Sequence, residues 1–134
     1  MSIQRIIAPT VKEPPVGTWS NCLAVGGIAY IAGMTARSST FDGIEGETAV
    51  AQTRVILGKI KALVEAAGGA MSDIVKVVIY VTDIKDRDGV WLARREYFQG
   101  QFPVSTLVEV SALADPRMKV EIEAIAHVGA SARA

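Results

Sequence analysis

The chain of 134 residues is one domain's worth of sequence, and its half-hydrophobic composition suffices for a core without disulfides or metals. Fourteen basic and fourteen acidic side chains cancel without forming a long run of either sign, so the basic stripe by which nucleic-acid binders neutralise phosphates is missing. The single cysteine, Cys22, excludes an internal disulfide, and with a single histidine, His127, a zinc site of the usual kind cannot be built from one chain. The opening MSIQRIIAPTVKEPP lacks the apolar core of a secretory signal, and no apolar stretch approaches a membrane span. The expectation is a cytoplasmic protein whose residues 1–134 form one domain, with neither a nucleic acid nor a membrane as partner.

Residues 9–17, PTVKEPPVG, are a loop, because adjacent prolines remove ladder donors. Ser20 to Val25 and Ile28 to Gly33 then read as two short strands joined by Gly26-Gly27, a hairpin signal. Arg37 to Gly46 reads as a surface loop. Between residues 48 and 67 the period changes. Val55, Ile56, Ile60, Leu63, Val64 and Ala67 recur at three- and four-residue steps, the mark of one buried helix face. Glu47 or Thr48 can cap its start, and Gly68-Gly69 stop its end.

Ile74 to Val81, IVKVVIYV, is almost continuously apolar and fits a central strand covered on both faces. Trp91, Arg94, Arg95 and Phe98 have helical spacing within a second helix over about 87–99, which Gly100 ends. Thr106 to Val110 and Lys119 to His127 are the last strands, with a turn at Ala114-Asp115-Pro116 between them. The order is β-β-β-α-β-α-β-β: an α/β fold with a mixed sheet and two helices on one face. Such helices leave the opposite face uncovered, and a symmetric copy of the chain is the economical cover. In the last strand Val120, Ile122, Ala124 and Ala126 share one face, while Glu121, Glu123, Ile125 and His127 share the other.

Glu121 and Glu123 therefore point the same way, roughly 6–7 Å apart along the strand. Such a pair can orient a water, although a solvated polar face is its commoner use. Nothing nearby completes a metal-ligand set, so no metal is expected. His127 has no nucleophile beside it in sequence and reads as a surface or interface histidine. Ser20, Ser105 and Ser111 lack the G-x-S-x-G context of a nucleophile elbow, and the glycines match no phosphate-binding loop. Cys22, among apolar neighbours, reads as a packed thiol. Trp19, after the Pro-rich loop, suits either core or pocket. Trp91 reads as a core or subunit contact.

Several segments together resemble the Rid (YjgF) family. They are Gly17-Thr18-Trp19-Ser20, Tyr30-Ile31-Ala32-Gly33, Lys61-Ala62 with Glu65-Ala66-Ala67-Gly68, and Asp73-Ile74-Val75-Lys76. The C-terminal block adds Phe102-Pro103, Leu107-Val108-Glu109-Val110 and Lys119 to Ala126. Each piece is weak alone, but their order and spacing cover nearly the whole chain. The resemblance implies a chorismate-mutase-like fold and a homotrimer whose sheets form a central barrel, with small-molecule clefts between subunits. It implies cofactor-free hydrolysis of reactive enamines or imines to keto acids and ammonia. Glu121 matches the family's water-orienting glutamate, Trp19 an aromatic cleft position, and Gly33 and the backbone of Leu107 further lining positions. An imine carbon is already electrophilic, so its hydrolysis needs mainly an oriented water and a proton path.

One departure bears on substrate. Ser105 stands where the family's active branch carries the arginine that forks onto a substrate carboxylate, and a serine cannot replace that clamp. Ala32 and Met34 replace common Ser and Gln, making the cleft more apolar. Three readings follow. The first is a deaminase for a different imine, with Arg37 as the substitute anchor ahead of Arg94 and Arg95. The second is a non-catalytic small-molecule binder. The third, a ribonuclease or translation inhibitor, is disfavoured by the neutral charge and by the lack of a histidine pair.

Overall fold

The computed structural model describes residues 1–40 and 42–131. Strands β1 (Gln4–Arg5), β2 (Cys22–Val25) and β3 (Ile28–Met34) precede helix α1 (Ala49–Ala66). Strand β4 (Ile74–Val81), helix α2 (Arg87–Arg94), β5 (Val104–Glu109) and β6 (Val120–His127) follow. They form one six-stranded sheet in the order β1-β2-β3-β6-β4-β5, antiparallel except for the parallel β4–β5 pair. Within that order β1 is a two-residue strand that the sequence pattern did not locate. Gly26 and Gly27 turn the β2–β3 hairpin with φ of 58° and 80°, the left-handed pair that a two-residue primed turn requires.

Helix α1 follows its periodicity. Ile56, Leu57, Ile60, Leu63 and Val64 are all at most 1% exposed against the sheet. Each such aliphatic contributes about 1.5–3 kcal/mol of burial. Thr48 caps the start by accepting the Ala51 N–H at 3.1 Å. Helix α2 is shorter than its pattern suggests. Beyond Arg94 the bonds tighten to i−3 spacing, Glu96 N–H to the Ala93 carbonyl and Tyr97 N–H to the Arg94 carbonyl. Phe98 is nevertheless buried, so the helical spacing had captured a real inward face.

Both helices pack on one sheet face. On β6, Val120, Ile122, Ala124 and Ala126 are buried there, and from β4 Val77, Ile79 and Val81 join them. The other face is open within one chain, so β4 is covered on one side only, against the expectation of two. Val75 and Lys76 at its start are exposed, and Tyr30, Val104 and Val108 on neighbouring strands keep 40% or more of their surface.

Two buried polar groups lock the loops. Gln52, 1% exposed, donates to the carbonyls of Gly46 and Arg117 and accepts the Lys119 N–H, fastening the entry of β6 to α1. Asp73, 2% exposed, accepts from the N–H groups of Ala70, Gly129 and Ser131 and from the Ser131 hydroxyl. Burial pushes this carboxyl up, but the hydrogen bonds from Ser131, Gly129 and Ala70 outweigh it and hold the pKa at about 2. Asp73→Ala is expected to destabilise the fold by about 3 kcal/mol, read as a lower urea midpoint, because buried donors lose their acceptor. Because the folded pKa is depressed, this contribution is complete above about pH 4, the unfolded value. It disappears as pH falls towards about 2.

Candidate functional site

The site begins with an irregularity in β3. Ile31 pairs with Ala124 but Met34 pairs with Ile122, so three residue steps on β3 span two on β6. This β-bulge places Ala32 and Gly33 together opposite Glu123 and turns the strand end away from the ladder. Glu121 lies over the bulge. A Cβ added at Gly33 would sit 2.7 Å from its Oε2, so glycine is what lets the carboxylate rest there.

The two carboxylates of β6 have different surroundings. Glu123 accepts a hydrogen bond from the Tyr80 hydroxyl at 2.5 Å, and that bond raises the phenol's pKa. Glu121 is half-buried and has no hydrogen bond or ion pair among the described residues. Burial, and then the neighbouring charge of Glu123, push its pKa above the ordinary carboxylate value. A carboxyl so placed is a better proton acceptor than an ordinary glutamate and can take a proton from water and return it.

A cavity of about 650 Å³ opens between the Pro-rich loop, the end of β3 and α1; it shares Gly33 with the Glu121 contact, but Glu121 is not among its lining residues. Trp19, Gly33, Met34 and Arg37 all line it. Trp19 keeps 56% of its surface, which decides for pocket over core. Met34 is only 5% exposed and belongs mainly to the core, so it shapes the cavity floor. Arg37 pairs with Ile44 in an isolated bridge, and its carbonyl, with that of Thr35, accepts from Lys59 Nζ at 2.7 Å each. Burial lowers the Lys59 pKa. Cys22 is 1% exposed and its thiol is pushed up to about 11 by burial, as suits a packed group. His127 is exposed at the end of β6.

Ser105 and Leu107 lie elsewhere. They face the helix side of β5 and line a separate groove of about 300 Å³ with Ile84, Arg87, Trp91 and Arg94. Strands β6 and β4 stand between β3 and β5. That is three strand spacings, about 14 Å. One chain therefore does not bring the two sets of residues together. Arg94, a weaker anchor candidate than Arg37 on sequence alone, donates from Nη1 to the Ser105 hydroxyl at 2.7 Å. Its proximity to Ser105 follows from the β4–α2–β5 crossover, which residue spacing on a helix does not reveal. Among the described residues no group of three His, Cys, Asp or Glu side chains is placed to hold a metal ion, and no helix is long and apolar enough to cross a membrane.

Residues 10–128 match the family model described as endoribonuclease L-PSP. The chain belongs to that family, also called Rid or YjgF. This Rid protein is 31% identical over 125 residues to a 2-iminobutanoate/2-iminopropanoate deaminase of Dermatophagoides farinae, covering 93% of this chain and 97% of the relative. A solved structure of a Pseudomonas aeruginosa protein of unknown function shares 43% identity at a TM-score of 0.85, covering 95% and 93% of the two chains. RidA from an Antarctic Psychrobacter superposes with a TM-score of 0.83 at 32% identity, covering 93% of this chain and 99% of that one.

The glycine beneath Glu121 provides a direct test. Gly33→Ala is expected to leave the melting temperature within about 3 °C, because the atom it meets is the mobile end of a side chain. It should displace the Glu121 carboxylate, and a crystal structure of the variant would show the movement.

Proposed function

We propose that this Rid protein hydrolyses a small enamine or imine to a carbonyl compound and ammonia, with Glu121 orienting and deprotonating the attacking water. The observation that carries this reading is the half-buried, unpartnered Glu121 carboxylate resting on Gly33, a residue that also lines the cavity edged by Trp19. The kinship with an imine deaminase supports it.

The chemistry balances without a cofactor. An enamine first tautomerises to its imine. Water oxygen then bonds to the imine carbon, the C=N π pair moves to nitrogen, and Glu121 takes a water proton. Glu121 gives this first proton to the nitrogen, and a neutral carbinolamine results. It then takes the hydroxyl proton as the C=O bond forms and delivers it to the nitrogen as the C–N bond breaks, so that ammonia leaves. A pKa raised by burial suits both halves of this exchange.

The reading includes a homotrimer. Trp19 and Gly33 lie towards one side of the sheet, Glu121 on its middle strand β6, and Ser105 and Leu107 at the far edge. A cleft using both sets takes each from a different copy. The open sheet face, carrying Tyr30, Val108 and Ile125, supplies apolar surface for that contact. A non-catalytic binder is the competing reading, favoured by Ser105 at the position where the active branch carries arginine.

Imines generated in situ by amino-acid oxidases, with a trapping reagent in competition, test the reaction. The expected result is faster hydrolysis that Glu121→Gln reduces by about 10²–10⁴-fold. The acid limb of the rate should fall below a pH higher than the ordinary glutamate value of about 4.3, since the reactive form is the carboxylate. Light scattering should give three times the chain mass. Absence of acceleration across neutral, aromatic and acidic imines would refute the hydrolase and leave the binder.

A further inference from the structure

Two carboxylates and one phenol meet on the open face of the sheet. The register pairs Tyr80 of β4 directly with Glu121 of β6, and Val78 with Glu123. Directly opposed side chains on adjacent strands have Cβ atoms about 4.5–5.5 Å apart, and diagonal ones about 7–8 Å. The Tyr80 hydroxyl nevertheless donates to the diagonal carboxylate, Glu123 Oε1, at 2.5 Å. Glu121, its direct neighbour, rests instead on the backbone of β3 at Gly33.

The other titratable groups of this face stand farther off. Lys76 on β4 and Tyr30 on β3 both pair with Ile125, four residues along β6 from Glu121. That is about 13 Å. His127 lies two residues beyond Ile125, at the end of the strand. Arg5, on the edge strand β1, is paired with Glu13. On β5, Val104, Thr106 and Val108 share the open face and carry no charge. Lys119 precedes β6, and of all these groups it is the charge of Glu123 that acts on Glu121.

Like charges on one face repel, and a glutamate without a donor would turn outward into solvent. The phenol holds Glu123 against that repulsion with a charge-assisted hydrogen bond. The same bond engages the hydroxyl that stands opposite Glu121, so Glu121 receives no donor that would weaken it as a proton acceptor.

We infer that Tyr80 and Glu123 are positioning residues for Glu121: the phenol pins one carboxylate so that its charge stays beside the other, which is left free to act as the base. The inference rests on the hydrolase reading for the use of that base, and on the sheet alone for the arrangement. Glu123 acts on Glu121 through space, and Tyr80 acts through Glu123. Burial and then the Glu123 charge raise the Glu121 pKa, so removing that charge lowers it, while burial keeps it above the ordinary value.

The test is a carboxyl-carbon NMR titration of the glutamate-labelled wild-type oligomer, with the Glu121 signal assigned by its loss in Glu121→Gln. Glu123→Gln keeps the shape of the side chain and should lower the Glu121 midpoint. Tyr80→Phe should lower it too, because the freed Glu123 turns away. The double variant should sit where Glu123→Gln alone sits, the non-additivity expected of one residue acting through another. Tyr30→Phe removes a phenol hydroxyl from the other flanking strand and should change nothing. Glu123→Asp keeps the charge and should restore the midpoint in part. Melting temperatures confirm that each variant is folded. A Glu121 midpoint indifferent to Glu123→Gln overturns the inference, as does a Tyr80→Phe effect that adds in full to that of Glu123→Gln. In the imine assay the acid limb should move to lower pH in step with the midpoint. Midpoints that move as expected in a protein without imine hydrolysis refute the hydrolase alone. Imine hydrolysis whose acid limb ignores Glu123→Gln refutes the positioning role alone.

Discussion

Strand β6 lies in the middle of the sheet, paired with β3 on one side and β4 on the other, and its two-residue alternation governs most of the molecule. Val120, Ile122, Ala124 and Ala126 must lie under the helices, because no other surface in the chain can bury them. Pleat geometry then forces Glu121 and Glu123 onto the open face. A slip of one residue would bury both carboxylates and expose the core, so the register is strongly fixed. The position of Glu121 is thus a consequence of core packing.

Given that constraint, small local features divide labour between two similar groups. Tyr80 ties Glu123 by a hydrogen bond, while the bulge at Ala32-Gly33 makes room for Glu121 to rest over backbone with no donor of its own. Burial raises the pKa of the untied one. The rigidity behind this comes from polar pegs: Gln52 and Asp73 satisfy the loops at the two ends of β6 and so hold the strand's register from outside the ladder. Such pegs cost desolvation and are stable only because each acceptor and donor is met.

Ser105 and Arg94 meet in the groove between α2 and β5. In the sequence Ser105 reads as a loss. In the structure its hydroxyl is a contact for Arg94, carried in by the helix that crosses from β4 to β5. Parallel pairing of β4 and β5 requires that crossover, and the crossover lays α2 along the edge strand. Arg37 lies among the loops around the larger cavity, apart from this groove.

Much of this was legible in the amino-acid pattern, since local chemistry determines it. The Gly26-Gly27 turn, the α1 stripe capped by Thr48, the Asp115 turn and the alternation of β6 each depend on neighbours within a few residues. The pattern also put Glu121 on a polar face. What tertiary structure decided involves contacts between distant segments. These are the bulge that sets Gly33 beneath Glu121, the separation of Ser105 and Leu107 from Trp19 and Gly33, the early end of α2, the one-sided cover of β4, and the reach of Arg94 to Ser105. Periodicity reports which face of an element is apolar; only the packing of one element on another decides which side chains meet.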